Sequence, residues 1–179
     1  MKFKLEDEDR SVSPRLSPGR VEDHEDLLRL VYEPEHIHAG QLVPAAIPSK
    51  DLQCRGYSTD RDRYKCERII RKRAKAQMEK APGNRKNNLV VKFRCEDIRA
   101  IALEEDSRDL IVVDYIIEGE LPLNIAHASI YSVCRASKSK IKHLKNEMLK
   151  HMQNIHTLDE IFGRGEASFA TPSDSNLQH

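Results

Sequence analysis

The run DLIVVDYIIEG at 109–119 is the feature that most restricts what this chain can fold into. Leu, Ile and Val at that density favour an extended backbone with both faces covered, so the run predicts a strand at the centre of a sheet. Such a strand needs neighbours, and the chain supplies four candidates. LLRLVYE (27–33) suits an opening strand that Pro34 limits, and CRGYST (54–59) a short one. LVVKFRC (89–95) sets Leu89, Val91, Phe93 and Cys95 against Val90, Lys92 and Arg94, the alternation of a half-buried strand. IAHASIYSV (125–133) is the fourth.

Two segments carry helical spacing instead. From about 60 to 80, Cys66, Ile70, Ala74 and Met78 recur every four residues, with Thr59 or Asp60 as cap and PGN at 82–84 as terminator. From 136 to 162, Ile141, Leu144, Met148, Ile155, Leu158 and Phe162 fall on a heptad seam whose polar member is His151, which predicts one long final helix. Between the first and second strands, PEHIHAGQLVPAAIPSKD holds three prolines and a glycine and reads as a structured loop. EDIRAIALEE allows one helical turn and a short strand. Strands and helices do not alternate as βαβ units, and no glycine-rich phosphate loop is present. The expected class is α+β: a single small domain with a mixed or antiparallel split sheet, a basic helix and a long C-terminal helix.

Residues 1–26 hold eight acidic and five basic side chains with two Ser-Pro pairs, and they read as a disordered acidic tail. Residues 163–179 read as a second tail, which leaves 27–162 as the domain. No stretch approaches the roughly 18 apolar residues of a membrane span, and MKFKLEDEDR is too acidic for a signal or transit peptide, so a cytoplasmic location is expected.

The net charge of +1 hides a separation along the chain. The segment 61–80 has nine basic and three acidic side chains, enough to neutralise phosphates, and Arg71, Lys72, Arg73 and Lys75 are its candidate polyanion-binding group. A solvated face is the plainer reading of such a run, and the acidic tail folding back to mask it is a third. The four cysteines lack ligand spacing and read as reduced, mostly buried small residues, so no metal site is expected.

Three stretches are chemically unusual. RGYSTDR (55–61) offers Arg55, Ser58, Thr59 and Arg61 as phosphate- or nucleotide-binding groups at a strand-to-helix junction. LPLNIAHASI (121–130) carries His127 into a strand, where it is either a satisfied strand histidine or an acid–base residue. EPEHIHAG (33–40) offers Glu33, His36 and His38 in a loop.

Taken together, PEHIHAGQLVPAAI, YSTDR and LPLNIAHASI resemble a group of small bacterial proteins. These read as a Pro-x-x-Ile-x-x-Gly loop, then Leu-Ser-Val-Asp-Arg, then Pro-x-Asn-Pro-Ala-His-Ala, over about 30–130 in the same order. That resemblance implies a shared fold and no particular activity. The order of LLRLVYE with Arg29, YST with Ser58, LVVKF, and IAHASI with His127 also resembles compact ADP-ribosyltransferase-type folds such as the RNA 2′-phosphotransferases. It implies a split sheet, Arg29 and Ser58 gripping a phosphate or dinucleotide, His127 and Ser58 as candidate catalytic residues, and NAD as a possible cofactor. At Glu33 the chain departs from that pattern, which there has a basic residue or histidine.

Two functional expectations follow. One is a non-catalytic interaction module that uses helix 61–80 for nucleic acid and residues 138–162 for a protein partner or homodimer. The other is an ADP-ribosyltransferase-like or nucleotide-phosphate-handling transferase, which requires Ser58, Arg61 and His127 to converge on one pocket.

Overall fold

The computed structural model describes residues 4–9, 16–105, 107–116, 122–133 and 137–163. Ser13, Cys134 and nearly all of the segment 163–179 therefore lie outside the described residues. The chain is α+β. Strands β1 (Asp26–Pro34), β4 (Tyr57–Arg61), β5 (Arg85–Arg94), β6 (Leu110–Asp114), β7 (His127–Ser132) and β8 (Ile155–His156) form one sheet in the order β6-β7-β4-β1-β5-β8. Every pairing in it is antiparallel. A small hairpin, β2 (Ile37–His38) and β3 (Gln41–Leu42), occupies the proline-rich loop.

One face of the sheet carries the main core. Leu27, Val31, Val91, Phe93, Ala128, Ile130, Leu110 and Val112 meet α2 (Cys95–Arg99) and α3 (Lys138–His151) there, the latter through Ile141, Leu144, Met148 and Leu149. On the opposite face Leu28 and Val90 meet Ile70 and Ala74 of α1 (Glu67–Lys80) and Leu158 of α4 (Leu158–Ile161). Among the described residues no helix is long and apolar enough to cross a membrane.

Within the apolar run, Leu110–Asp114 proves to be an edge strand, β6, rather than a central one. All five of its residues are nonetheless buried. The missing neighbour is replaced by the N-terminal turn Leu5–Asp9, where Glu8, 1% exposed, accepts a hydrogen bond from the Val112 amide at 2.8 Å. Covering an edge this way leaves its backbone groups unavailable to other chains. Glu8 is neutralised by Arg99 Nε at 2.6 Å and by Arg108. So 1–26 is not a free tail over its described part, since Val21 is also fully buried in the core. Among its described acid groups Glu8 and Asp23 pair with Arg99 of α2, Glu25 with Arg61 of β4, and Asp26 with Lys92 and Arg94 of β5.

Two helices differ from expectation. Residues 57–61 are strand, and α1 begins only at Glu67, with Cys66 rather than Thr59 or Asp60 at its N-cap. The long helix 136–162 is broken after His151. Its seam residues belong to opposite faces of the sheet, Ile141, Leu144 and Met148 to one and Leu158 to the other. A straight helix cannot serve both, so the chain rounds the sheet edge as β8, paired to Val90 and Val91, before α4 starts at a Thr157–Glu160 capping box. The seam packs in cis, and His151 sits at its exposed end, 3.9 Å from Asp97.

Of the described cysteines only Cys95 is buried; Cys54 and Cys66 are exposed, contrary to the expectation of mostly buried thiols. Cys66 sits at the helix start, not on the helix face its spacing suggested.

Candidate functional site

The sheet is forked at its centre. β1 pairs with β5 along its whole length, from Asp26↔Arg94 to Pro34↔Arg85, and β4 pairs with β7 from Tyr57↔Ile130 to Asp60↔His127. Between them β1 and β4 share only Leu27↔Arg61 and Leu28↔Asp60. Beyond those pairs the two strands diverge, and the ladder between them is lost. In its place Arg29 donates from its guanidinium to the Ser58 carbonyl at 2.6 Å and lies 4.4 Å over the Tyr57 ring. A long cationic side chain thus satisfies a backbone acceptor that the divergence would have orphaned.

A cavity of about 410 Å³ opens at this fork. Its wall is built by β1 (Arg29, Tyr32), the following loop (Glu35, His36), the helical turn before β4 (Asp51, Arg55), β4 itself (Ser58), α1 (Arg73, Gln77) and the start of β5 (Arg85). Arg73 and Gln77 stand four apart and so share the helix face beside Ile70 and Ala74, which anchors α1. Four arginines line one small space. Arg85 forms a two-pronged pair with Glu35, which holds that carboxyl below its ordinary value. Arg73 reaches both carboxylate oxygens of Asp60 from one guanidinium nitrogen, Nη1, at 2.7 and 2.8 Å. Among the described residues Arg29 and Arg55 pair with no carboxylate.

Two buried polar atoms at this wall have no hydrogen-bond partner, Arg29 Nε and the Tyr32 hydroxyl, although Tyr32 is only 3% exposed. Burial raises the Tyr32 hydroxyl's pKa, so it is held as a donor. Burial also drives His36 down to about 4. Its Nδ1 accepts from the Tyr32 amide at 3.3 Å, so the neutral ring carries its proton on Nε2, 3.4 Å from Glu35. At ordinary pH that contact therefore sets a neutral imidazole beside a carboxylate and is not an ion pair.

Behind the wall Ser58 Oγ lies 2.8 Å from His127 Nε2. The other ring nitrogen, Nδ1, faces the Tyr115 carbonyl. A carbonyl only accepts, so Nδ1 carries the proton and Nε2 presents a lone pair to the serine hydroxyl. Ser58 is half-buried and opens on the cavity, while His127, 3% exposed, sits beneath it. Arg73 donates to Ser58 Oγ at 3.3 Å. Asp60, opposite His127 across the ladder, is fixed by Arg73 and by Asn124 Nδ2 at 2.6 Å. Gly56, two residues before the serine, has φ +87°, and a Cβ there would meet the Tyr131 hydroxyl at 2.5 Å; only glycine lets β4 start so close to β7.

Strand alternation sorts the sequence candidates. Ser58 faces the cavity with Arg29, Arg55 and His127 in attendance. Thr59 and Arg61 face the other way. Thr59 donates to the Ala128 carbonyl at 3.1 Å. Arg61, 1% exposed, is locked to Glu25 and to the Gly19 and Arg20 carbonyls. Burial raises the Glu25 pKa, but the Arg61 guanidinium and the Glu22 amide together outweigh it and hold the carboxylate low. The expected convergence of Ser58, Arg61 and His127 therefore fails at Arg61, whose place is taken by Arg73 from the presumed polyanion face. Of that face, Arg71 is engaged by Glu67 and Asp159, Lys72 also has a partner, and Lys75 is 81% exposed.

All three unusual stretches meet here, RGYSTDR through Ser58, LPLNIAHASI through His127 and Asn124, and EPEHIHAG through Glu35 and His36. The residues that spacing did not reveal as part of this site, Arg73, Gln77, Arg85 and Tyr32, come from a helix and two strands far apart in sequence. Among the described residues no three His, Cys, Asp or Glu side chains gather as a metal ion would require. No protein-family model, curated protein or solved structure matches the chain.

Proposed function

We propose that the chain is a small nucleotide-phosphate-handling transferase domain that takes a phosphate-bearing small molecule into the fork of its sheet. The observation that supports this reading is the arginine-lined cavity with two buried donors, Arg29 Nε and the Tyr32 hydroxyl, awaiting acceptors. Burying a donor without a partner costs about 1–3 kcal/mol. An oxyanion in the cavity would relieve that cost and meet guanidinium groups built for its geometry. The volume, about 410 Å³, is in the range of small-molecule sites.

The interaction-module reading is weaker. It keeps the outer face of α1, including the exposed Lys75, but the heptad seam it would use for a partner is spent on the chain's own sheet.

Thermal unfolding with inorganic phosphate, nucleoside monophosphates and NAD, each against an equal ionic strength of chloride, tests the proposal. Phosphate at about 100 times its Kd stabilises a folded state by about 2.7 kcal/mol. The expected result is an upward Tm shift that Arg29→Met removes and Lys75→Glu keeps. No shift with any phosphate compound, or a shift removed by Lys75→Glu alone, overturns the reading.

A further inference from the structure

The resemblance to phosphate-gripping folds makes Ser58 a phosphate-gripping group and, with His127, a candidate catalytic residue, but implies no covalent step on it. We propose that Ser58 is a nucleophile, that His127 is its general base, and that the fork transfers a phosphoryl group from a phosphomonoester through a phosphoserine. This rests on the reading of the cavity as a phosphate site.

Geometry carries it. A nucleophilic serine needs a base within hydrogen-bond reach, a third group that fixes the base's tautomer, and a reacting centre on its open side. Ser58 Oγ and His127 Nε2 are 2.8 Å apart, and the Tyr115 carbonyl takes the Nδ1 proton, so the base presents its lone pair to the hydroxyl. The open side of Ser58 is the arginine cavity. Arg73 reaches Oγ itself and Arg29 is bound to the carbonyl of the same residue, so two guanidinium groups flank the point of attack. Phosphoryl transfer asks mostly for such positioning and charge stabilisation. A serine that only capped a structural histidine would need neither the cavity nor the arginines.

The steps balance without a further reactant. Oγ attacks phosphorus as His127 Nε2 takes the hydroxyl proton; the Oγ–P bond forms and the bond to the leaving oxygen breaks, that oxygen departing with the electron pair. Water then attacks phosphorus and releases a proton to solvent. Oγ leaves with its electron pair, recovers the proton from His127, and inorganic phosphate is the product. An acceptor alcohol in place of water gives transfer.

The test uses the full chain with p-nitrophenyl phosphate. A burst of p-nitrophenolate approaching one per chain is expected, together with the mass of one phosphoryl group on the peptide containing Ser58. Ser58→Ala should abolish both. His127→Gln, which keeps a hydrogen-bonding side chain but no base, should slow the burst about 10²- to 10⁴-fold. The Tm shift with inorganic phosphate, measured on each variant, reports folding and anion binding independently. A shift retained without burst or label overturns the nucleophile assignment and leaves the phosphate site standing. A label undiminished in Ser58→Ala also overturns it, whereas no shift in the unaltered chain removes the site reading beneath it.

Discussion

Replacing Arg73 by Met removes the bridge between α1 and the fork and leaves the Asp60 carboxylate, 4% exposed, held by Asn124 Nδ2 at 2.6 Å. Removing one member of a fully buried ion pair costs about 3–5 kcal/mol, because the survivor stays charged and desolvated. A quarter of the Arg73 side chain is exposed, so solvent screens part of the loss and about 2–3 kcal/mol is expected. For a chain of this size that lowers Tm by about 5–10 °C. Asp60→Asn in the same background removes the orphaned charge while keeping an acceptor for Asn124. The double variant should therefore recover about 1 kcal/mol or more over Arg73→Met. Urea unfolding followed by circular dichroism measures all four members of the cycle. A loss below about 0.5 kcal/mol for Arg73→Met, within the range of ordinary surface changes, refutes the reasoning. So does a double variant less stable than the single one, which would mean that Arg73 acts through a partner other than Asp60.

Two further outcomes follow from buried titrating or charged groups. His36 is neutral when folded, with its pKa depressed by burial to about 4 against an unfolded 6.5, so the stability it contributes is present above pH 6.5 and is lost as pH falls toward 4. About 2 kcal/mol should go between pH 7 and pH 5, and a His36→Gln variant measured by urea unfolding should show a flatter profile; an unchanged profile refutes the assignment. Glu8→Ala would strip Arg99, itself 8% exposed, of a partner and leave the Val112 amide unpaired at the sheet edge. A loss of about 2–4 kcal/mol in urea is expected, with faster exchange of the Val112 amide; unchanged exchange would show that the N-terminal turn does not cover β6.

Strand identity was legible where alternation or apolar density was strong. β1, β5 and β7 stand close to where LLRLVYE, LVVKFRC and IAHASIYSV put them. Apolar density reports burial, not position in a sheet, and that is why 109–119 suggested a centre while β6 is an edge under Glu8. Heptad spacing reports one face, not which layer receives it, so the break between α3 and α4 went unseen although Thr157 and Glu160 at capping-box spacing marked it. In YSTDR the chemistry was visible, but its assignment to a helix start concealed the alternation that turns Thr59 and Arg61 away from Ser58.

The sequence by itself determined the α+β class, five of the six strands of the main sheet, and three stretches rich in reactive groups, because local pattern and side-chain chemistry are properties of neighbouring residues. Only the tertiary structure decided that these stretches share one cavity. Which arginine faces an anion and which is buried as a strut depends on where β1 and β4 part, and that divergence is set by pairing with β5 and β7 on either side. The Ser58–His127 pair joins residues 69 positions apart through the register of β4 on β7, a relation no local pattern contains.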